Sequence, residues 1–417
     1  MSEKIDIFCK KKSISKSLVL FFIFISLIAL GQGFSGAIFP NFYKDAYNVT
    51  AMQRAFIEFP REMPGFLCLF ILTFLSFLGD VKIAVLAQIT TCLGALALGI
   101  LSPSFSVMLI FLFIHSIGQH LLLPLRDSIG MSLAEPDRIG YRMGQYSSMR
   151  FFFSVLAGVV VFIGFRVGFF SFKTNIKSVF VIASVFYGLS IIVGYALYNQ
   201  TIKDKITILS KKREIKFYFR KEYKYYYMIT ILCGVQKQIA LVFGSWVIID
   251  LLSKGADVMS ALIILSSFIG IFFLRIIGNW IDKLGIKKVM YLDALSFIVV
   301  YTIYGIFVWL IVSGRMPRQG IAVALIYTMF ILDKMSMQFS MIRSVYLKSI
   351  AVSDEEISSV LSTGISLDHA VAMLAAQLSG MVWMKFGPHW VFFIAAFLSL
   401  GNLYVASKVK EPKAFKG

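Results

Sequence analysis

Twelve runs of about 20 mostly apolar residues divide the chain, at 17–39, 54–78, 82–101, 105–126, 144–165, 177–198, 225–251, 257–279, 287–313, 320–347, 357–384 and 389–408. A helix rising 1.5 Å per residue needs roughly 20 such residues to cross about 30 Å of hydrocarbon. The pattern predicts an all-α polytopic membrane protein with twelve transmembrane helices. The second and eleventh runs are the least clean, because both carry charges. The first is too long for the core of a signal peptide and lacks a cleavage site, so it reads as a retained span.

Composition removes the soluble alternatives. Hydrophobic residues make up 58% and charged residues 15%, against about 45–50% and 25% in a soluble domain. The net charge of +19 would point to nucleic acid in a soluble chain. Here the basic residues gather in breaks between apolar runs, as they do beside an anionic lipid leaflet. Membrane lipids are therefore expected partners and nucleic acid is not. Cys9, Cys68, Cys92 and Cys233 have no paired spacing, so no disulfide framework, metal site or cofactor is expected.

Lys and Arg also set the orientation. Lys4, Lys10, Lys11, Lys12 and Lys16 precede the first run. Lys203, Lys205, Lys211, Lys212, Arg213, Lys216, Arg220, Lys221 and Lys224 follow the sixth, and Lys410, Lys413 and Lys416 follow the twelfth. With twelve spans all three groups share one side, which the positive-inside rule makes cytoplasmic, with both termini inside. Arg166, Lys173 and Lys177 are a minor exception. Compactness and short tails point to a bacterial inner (plasma) membrane.

The basic break at 199–224 separates two sets of six spans, so the expected units are 1–200, a linker 201–224, and 225–417. Landmarks recur in both. Gly79-Asp80 follows span two and Asp282 follows span eight; Leu125-Arg126 ends span four and Ile342-Arg343 ends span ten. The joints Glu135-Pro136-Asp137 and Ser353-Asp354-Glu355 also correspond. A duplicated six-helix unit is expected.

The break after span eight reads Gly278-Asn-Trp-Ile-Asp282-Lys283-Leu-Gly285-Ile-Lys287-Lys288. It resembles the Gly-x-x-x-Asp-Arg/Lys-x-Gly-x-Arg/Lys-Arg/Lys loop of the major facilitator superfamily. The counterpart after span two is reduced to Gly79-Asp80-Val-Lys82. The resemblance in layout covers the whole chain. It implies two pseudo-symmetric six-helix halves rocking around a central site, and a gating role for Gly79, Asp80, Gly278, Asp282, Gly285 and Lys287. The Gly-x-x-x-Gly-Pro pattern of drug–proton antiporters is absent from span five, which reads Ser154-Val-Leu-Ala-Gly158, and no sugar-porter signature is present.

Ionisable groups at bilayer depth are costly and usually face a cavity or a partner. Span two holds Glu58-Phe-Pro60-Arg61-Glu62-Met-Pro64-Gly65, with Glu58, Arg61 and Glu62 on one helical face. Two carboxylates sharing one Arg permit either proton coupling or a fixed ion-pair lock. Span eleven holds Asp368 and His369. In the fold implied by the resemblance, spans two and eleven meet, and a Glu62–His369 pair there would bind protons, histidine being the side chain that titrates near neutrality. The alternative is a buried histidine bonded to Asp368 or a carbonyl. Arg150 shares the repeat position of Asp368 and is a candidate contact between the halves.

The same resemblance places spans one, four, seven and ten around the cavity. Gln32, His115, Gln119, Gln236, Lys237, Asp333 and Gln338 are then candidate substrate contacts. Lys237 and Asp333 could instead neutralise one another. Met335, Met337 and Met341 would suit a partly apolar ligand. Asp354, Glu355 and Glu356 read as the N-terminal cap of span eleven, and Tyr223, Tyr225, Tyr226 and Tyr227 as a membrane-interface belt.

These residues predict a monomeric secondary active transporter for a small organic solute, coupled to protons. Extrusion of an amphipathic compound is favoured over uptake or exchange of a polar nutrient. A transporter-like receptor is the rival reading. No catalytic constellation recommends an enzyme.

Overall fold

The computed structural model describes residues 15–135, 138–204 and 217–409, the side chains of 140, 354, 355 and 358 excepted. The basic tails, much of the linker, Cys9, the Pro136-Asp137 joint and the side chains of the expected Asp354-Glu355 cap lie outside them. The described residues contain no strand.

In the first half α1 (Lys16–Ser35) runs into α2 (Phe39–Tyr47) as one long span. It is followed by α3 (Ala51–Phe74), α4 (Asp80–Ile100), α5 (Phe105–Leu133), α6 (Ile139–Arg166) and α7 (Ser178–Lys203). In the second, α8 (Lys224–Gln238) continues through π-helical turns at Ile239–Gly244 and Val247–Leu251. Then come α9 (Ala256–Leu284), α10 (Ile286–Val312), α11 (Ile321–Ser336) continued by α12 (Met341–Ile350), α13 (Asp354–Phe386) and α14 (Pro388–Lys408). Every predicted span is present. Eleven are apolar enough to be recognised as spans by composition. The exception is α3, whose Arg54, Glu58, Arg61 and Glu62 lower its hydropathy.

The duplication is visible in the packing. Within the first half α4 packs on α5 and α7, α1 on α6 and α7, and α3 on α5. Within the second, α10 packs on α11 and α14, α8 on α13 and α14, and α9 on α11. These are the same contacts at equivalent span numbers. The halves meet through α3 against α13 and α6 against α9, the pair of contacts a twofold relation requires.

Two joints show where sequence alignment of the repeats slips. Gly79 precedes α4 at φ +79° and Gly285 precedes α10 at φ +84°. Both positions need the left-handed region that glycine enters without penalty, so these glycines are equivalent. Asp80 therefore opens α4, where it accepts a hydrogen bond from Ser128 Oγ of α5 (2.5 Å). Asp282 instead lies exposed in the last turn of α9, so it is not the counterpart of Asp80. Lys287 reaches the Ser407 carbonyl at 3.3 Å. Gly278 has open space around its Cα.

The tyrosine belt is also revised. Tyr223, Tyr226 and Tyr227 are buried in a second, smaller apolar cluster. The Tyr223 hydroxyl and Arg220 both donate to Glu356, each at 2.6 Å. Glu356 thus ties the end of the linker to α13, while Ser353 makes no side-chain cap. At the joint after α5, Glu135 accepts two hydrogen bonds from Arg142, 2.7 and 2.8 Å long. This holds its carboxyl down at about 2.

At the face opposite Asp80 and Lys287 the halves are pinned together. Lys44 of α2 pairs with Asp250 at 2.6 Å, Asn41 donates to the Lys254 carbonyl at 3.1 Å, and Arg166 lies 3.3 Å from Asp257. The Lys44–Asp250 side chains are 29% and 31% exposed, so the pair contributes about 0.2–1 kcal/mol. Lys44→Ala is expected to raise the open population at this face by no more than roughly fivefold. Spin-label distances between cysteines at Asp45 and Ser253 measure that shift; an unchanged distribution would show that the pair does not hold the face.

Candidate functional site

The charges of α3 converge on the seam between the halves. Glu58 is completely buried. Arg54 donates to its Oε1 at 2.6 Å, and Arg61 donates to its Oε2 through both Nε and Nη2. Gln238 of α8 donates to the same Oε2 at 2.6 Å from the other half. Arg54 also stacks over the Tyr43 ring at 5.3 Å. A carboxylate removed from water needs this level of compensation: paired charges and filled lone pairs.

Glu62, one residue beyond Arg61, is held differently. Arg61 Nη2 lies 2.5 Å from its Oε1, and His369 Nδ1 of α13 lies 2.5 Å from its Oε2. Lys237 Nζ of α8 is 4.0 Å from that oxygen and is bonded to Asp368 Oδ2. The structure therefore brings together Glu58, Arg61, Glu62, Lys237, Asp368 and His369. Of the open alternatives, His369 bonds to the carboxylate of the opposite half, and Lys237 pairs with Asp368 instead of Asp333.

Gly65 makes this approach possible. A Cβ there would lie 2.6 Å from the His369 ring and 2.7 Å from His120. The two histidine rings meet edge to face at 4.9 Å. Ser116 of α5 donates to the Arg61 carbonyl at 2.5 Å, bracing α3 between Pro60 and Pro64.

Glu62, His120 and His369 offer donor atoms within 4.8 Å of one another. Arg61 at 2.5 Å and Lys237 at 4.0 Å from the same carboxylate oppose a divalent cation there.

The other candidates separate by location. Gln32 donates to Gln119 at 2.6 Å, and Gln119 to the Tyr187 hydroxyl at 3.3 Å, a polar chain inside the first half. His115 is buried against Thr91 O, Phe39 and Tyr187. Gln236 is buried between Ser399 and Asn402 of α14. Asp333 is fully buried, and neither carboxylate oxygen has a hydrogen-bond partner. The neighbouring Tyr301 hydroxyl donates to the Gln236 carbonyl and Tyr304 to the Gly244 carbonyl. His115, Gln236 and Asp333 therefore sit in helix packing. Gln338 lines a cavity of about 420 Å³ with Arg343 and Asp368.

Arg150 makes no ion pair across the halves among the described residues. The charges acting on it are Arg126 and Asp127 of its own half. The reason is topological: α6 meets α9, whereas Asp368 on α13 faces α3 and α8. Arg54 and Arg343 are not among the site candidates read from the sequence, and Gln238 stands there only as one polar residue of a cavity-type span. Arg54 had a usable signal, standing four residues before Glu58.

Gly65→Ala is expected to displace the two rings, because overpacking a filled site costs about 1–3 kcal/mol. The check is the thermal midpoint of the purified protein; a value equal to wild type would mean that the seam yields freely at this point.

Comparison with solved structures shows the same architecture. The nucleoside transporter NupG, in a mutant form, superposes with a TM-score of 0.75 at 13% identity, covering 95% of this chain and 100% of that one. A D-xylose–proton symporter gives 0.69 at 14%, covering 95% and 98%. A bacterial homologue of the iron transporter ferroportin gives 0.70 in its inward-facing state and 0.61 in its outward-facing state. Both are 12% identical and cover 94% of this chain and 98% of that one. No relative among the curated proteins matches the sequence. The sequence pattern of the Major Facilitator Superfamily matches residues 20–351, well over half of the chain. Together with twelve spans in two equivalent halves, this match means that the chain belongs to the Major Facilitator Superfamily.

Proposed function

We propose that this protein is a secondary active transporter that moves a small organic solute by alternating access and couples that movement to protons. The observation that carries the reading is the Glu62–His369 pair, a carboxylate and an imidazole supplied by opposite halves at 2.5 Å. Adding or removing a proton there changes the charge of a buried seam by one. A unit charge about 4 Å from another at an effective dielectric constant of 20 is worth on the order of 4 kcal/mol. That approaches the roughly 5.5 kcal/mol that moves a two-state equilibrium from 1:99 to 99:1.

The two carboxylates of α3 divide the work in this reading. Glu58, with two arginines and Gln238 on it, is a fixed lock, and the Glu62–His369 pair is the proton-responsive unit. Lys237, shared between Asp368 and Glu62, passes a change at one carboxylate to the other. In this reading the positive-inside rule makes the Asp80 face, which carries the basic breaks, the cytoplasmic one. The pinned Lys44–Asp250 face is then external, and the conformation faces inward.

The test needs no knowledge of the solute. Spin labels at Ser132 of α5 and Lys348 of α12 report separation of the halves at the basic face. The wild-type distance distribution is expected to shift between pH 5.5 and 7.5, and Glu62→Gln to abolish the shift in a protein that still folds. A Glu62→Gln protein that responds to pH like wild type would remove Glu62 from the mechanism. Glu58→Gln is expected instead to lower stability, since breaking a buried ion pair costs about 3–5 kcal/mol. A thermal scan checks this, and an unchanged midpoint would refute the lock.

A further inference from the structure

The cavity of about 420 Å³ beside Asp368 lies wholly in the second half, lined from α8, α9, α12 and α13 and from Gln338 and Ser340 of the turn that joins α11 to α12. That volume is in the range of small-molecule sites. Its apolar lining comes from Leu274, Met341, Leu361 and Ile365. Its polar lining comprises the Arg343 guanidinium, the Gln338 amide, whose Nε2 also donates to the Lys334 carbonyl at 3.5 Å, and the hydroxyls of Tyr226, Ser340 and Ser344, so that Arg343 is its one cation. Thr230 also borders it, with its hydroxyl spent on the Tyr226 carbonyl at 2.9 Å.

The only acid in that lining is Asp368, and it is already engaged. One oxygen is bonded to Lys237; the other is buried, 3.8 Å from Arg343 Nη1. With Lys237 on one oxygen and Arg343 at ion-pair distance from the other, its charge is already met by two cations, which disfavours a third. Arg343 is the reverse case. Its one hydrogen bond among the described residues runs from Nε to the Ser340 carbonyl at a long 3.4 Å. Asp368 acts on it at 3.8 Å, and Asp293 of α10 from beyond ion-pair distance. Arg343 borders the cavity, and among the described residues neither terminal nitrogen has a hydrogen-bond acceptor, Nη1 being in longer ion-pair contact with Asp368 Oδ1 at 3.8 Å. A planar fork of this kind matches a carboxylate or phosphate in bidentate geometry.

We propose that this cavity binds an amphipathic organic anion, with its carboxylate on Arg343 and its apolar body against Leu274, Met341, Leu361 and Ile365. The inference rests on the transport reading for its meaning, since it names the class of solute carried. Binding itself is independent of that reading. Asp368, which borders the cavity and precedes His369, places the anion next to the seam.

The probes are 4-phenylbutyrate, its amide, 4-phenylbutylamine and 4-phenylbutyl phosphate, titrated against the thermal midpoint of the purified full-length protein. A ligand that binds the folded state raises the midpoint by mass action. The carboxylate is expected to give a saturable rise and the amide and amine none. Arg343→Gln is expected to weaken the carboxylate at least tenfold, and Arg343→Lys, which keeps the charge without the fork, by less. The unliganded midpoint of each variant shows whether it has folded, and the wild-type probe series stands without any variant.

An amine that binds as well as the acid overturns the proposal, as does a folded Arg343→Gln protein with wild-type affinity for the carboxylate. A phosphate ester that binds tighter than the carboxylate overturns the carboxylate assignment. The label distances keep the two readings apart. If wild type binds 4-phenylbutyrate and the labels do not respond to pH, proton-coupled transport fails and the anion site stands. If the labels respond and no anion binds, the anion site fails alone.

Discussion

A carboxylate at bilayer depth must be neutralised where it stands, and Glu58 sets that demand for the molecule. Its two oxygens are filled by Arg54, Arg61 and Gln238, the last from the opposite half. The arginines in turn must remain on carboxylates, which fixes Glu62 beside Arg61. Each step brings another charge to the same place, because isolated charges in hydrocarbon cost several kcal/mol and clustered ones share the compensation. The α3–α13 contact is therefore a polar seam in an otherwise apolar bundle. It needs a glycine at Gly65 to let two imidazole rings approach.

The seam and the closed face act on different scales. The buried seam carries strong interactions that resist separation, and it holds through geometry that either half would lose by moving alone. The closed face carries partly exposed pairs such as Lys44–Asp250 and Arg166–Asp257, individually weak. In the alternating-access reading proposed above the two have different parts: weak contacts that break and reform, and a seam whose charge sets which state is lower in energy. The π-helical turns of Ile239–Gly244 and Val247–Leu251 lie on the span that supplies Lys237 and Gln238 to the seam and Asp250 to the gate. Such turns depart from the regular i→i+4 ladder and recur at functional sites.

How far the site could be read in advance depends on whether the relevant contacts are local. The Glu58–Arg61–Glu62 face follows from helical spacing alone, and its position inside a span marks it as costly. That Glu62 meets His369, 307 residues away, follows only from which helices pack. The substrate candidates show the limit. His115 and Gln236 are polar residues on cavity-type spans, yet both turn toward neighbouring helices, because a polar side chain can be satisfied by a backbone carbonyl or another helix as well as by a cavity; Asp333 is buried in the same packing with neither oxygen hydrogen-bonded. Arg343 went the other way: the sequence marks it only as a repeat landmark near a span end, and in the fold it borders the cavity.

What the sequence by itself determined was the class of protein: twelve apolar spans, a basic side, a duplicated unit and one span too charged to be ordinary. These follow from composition and periodicity, since the hydrocarbon core enforces helix length and expels charge whatever the packing. The correspondence between repeats was readable only in outline. It took the positive φ of Gly79 and Gly285 to show that Asp80 and Asp282 occupy different helices. Only the tertiary structure decided which charge faces which partner, which face is pinned and which guanidinium borders a cavity. Those outcomes depend on rotation of each helix about its own axis. Burying an apolar helix in a bundle leaves that rotation nearly free in energy until specific side chains meet across the interface.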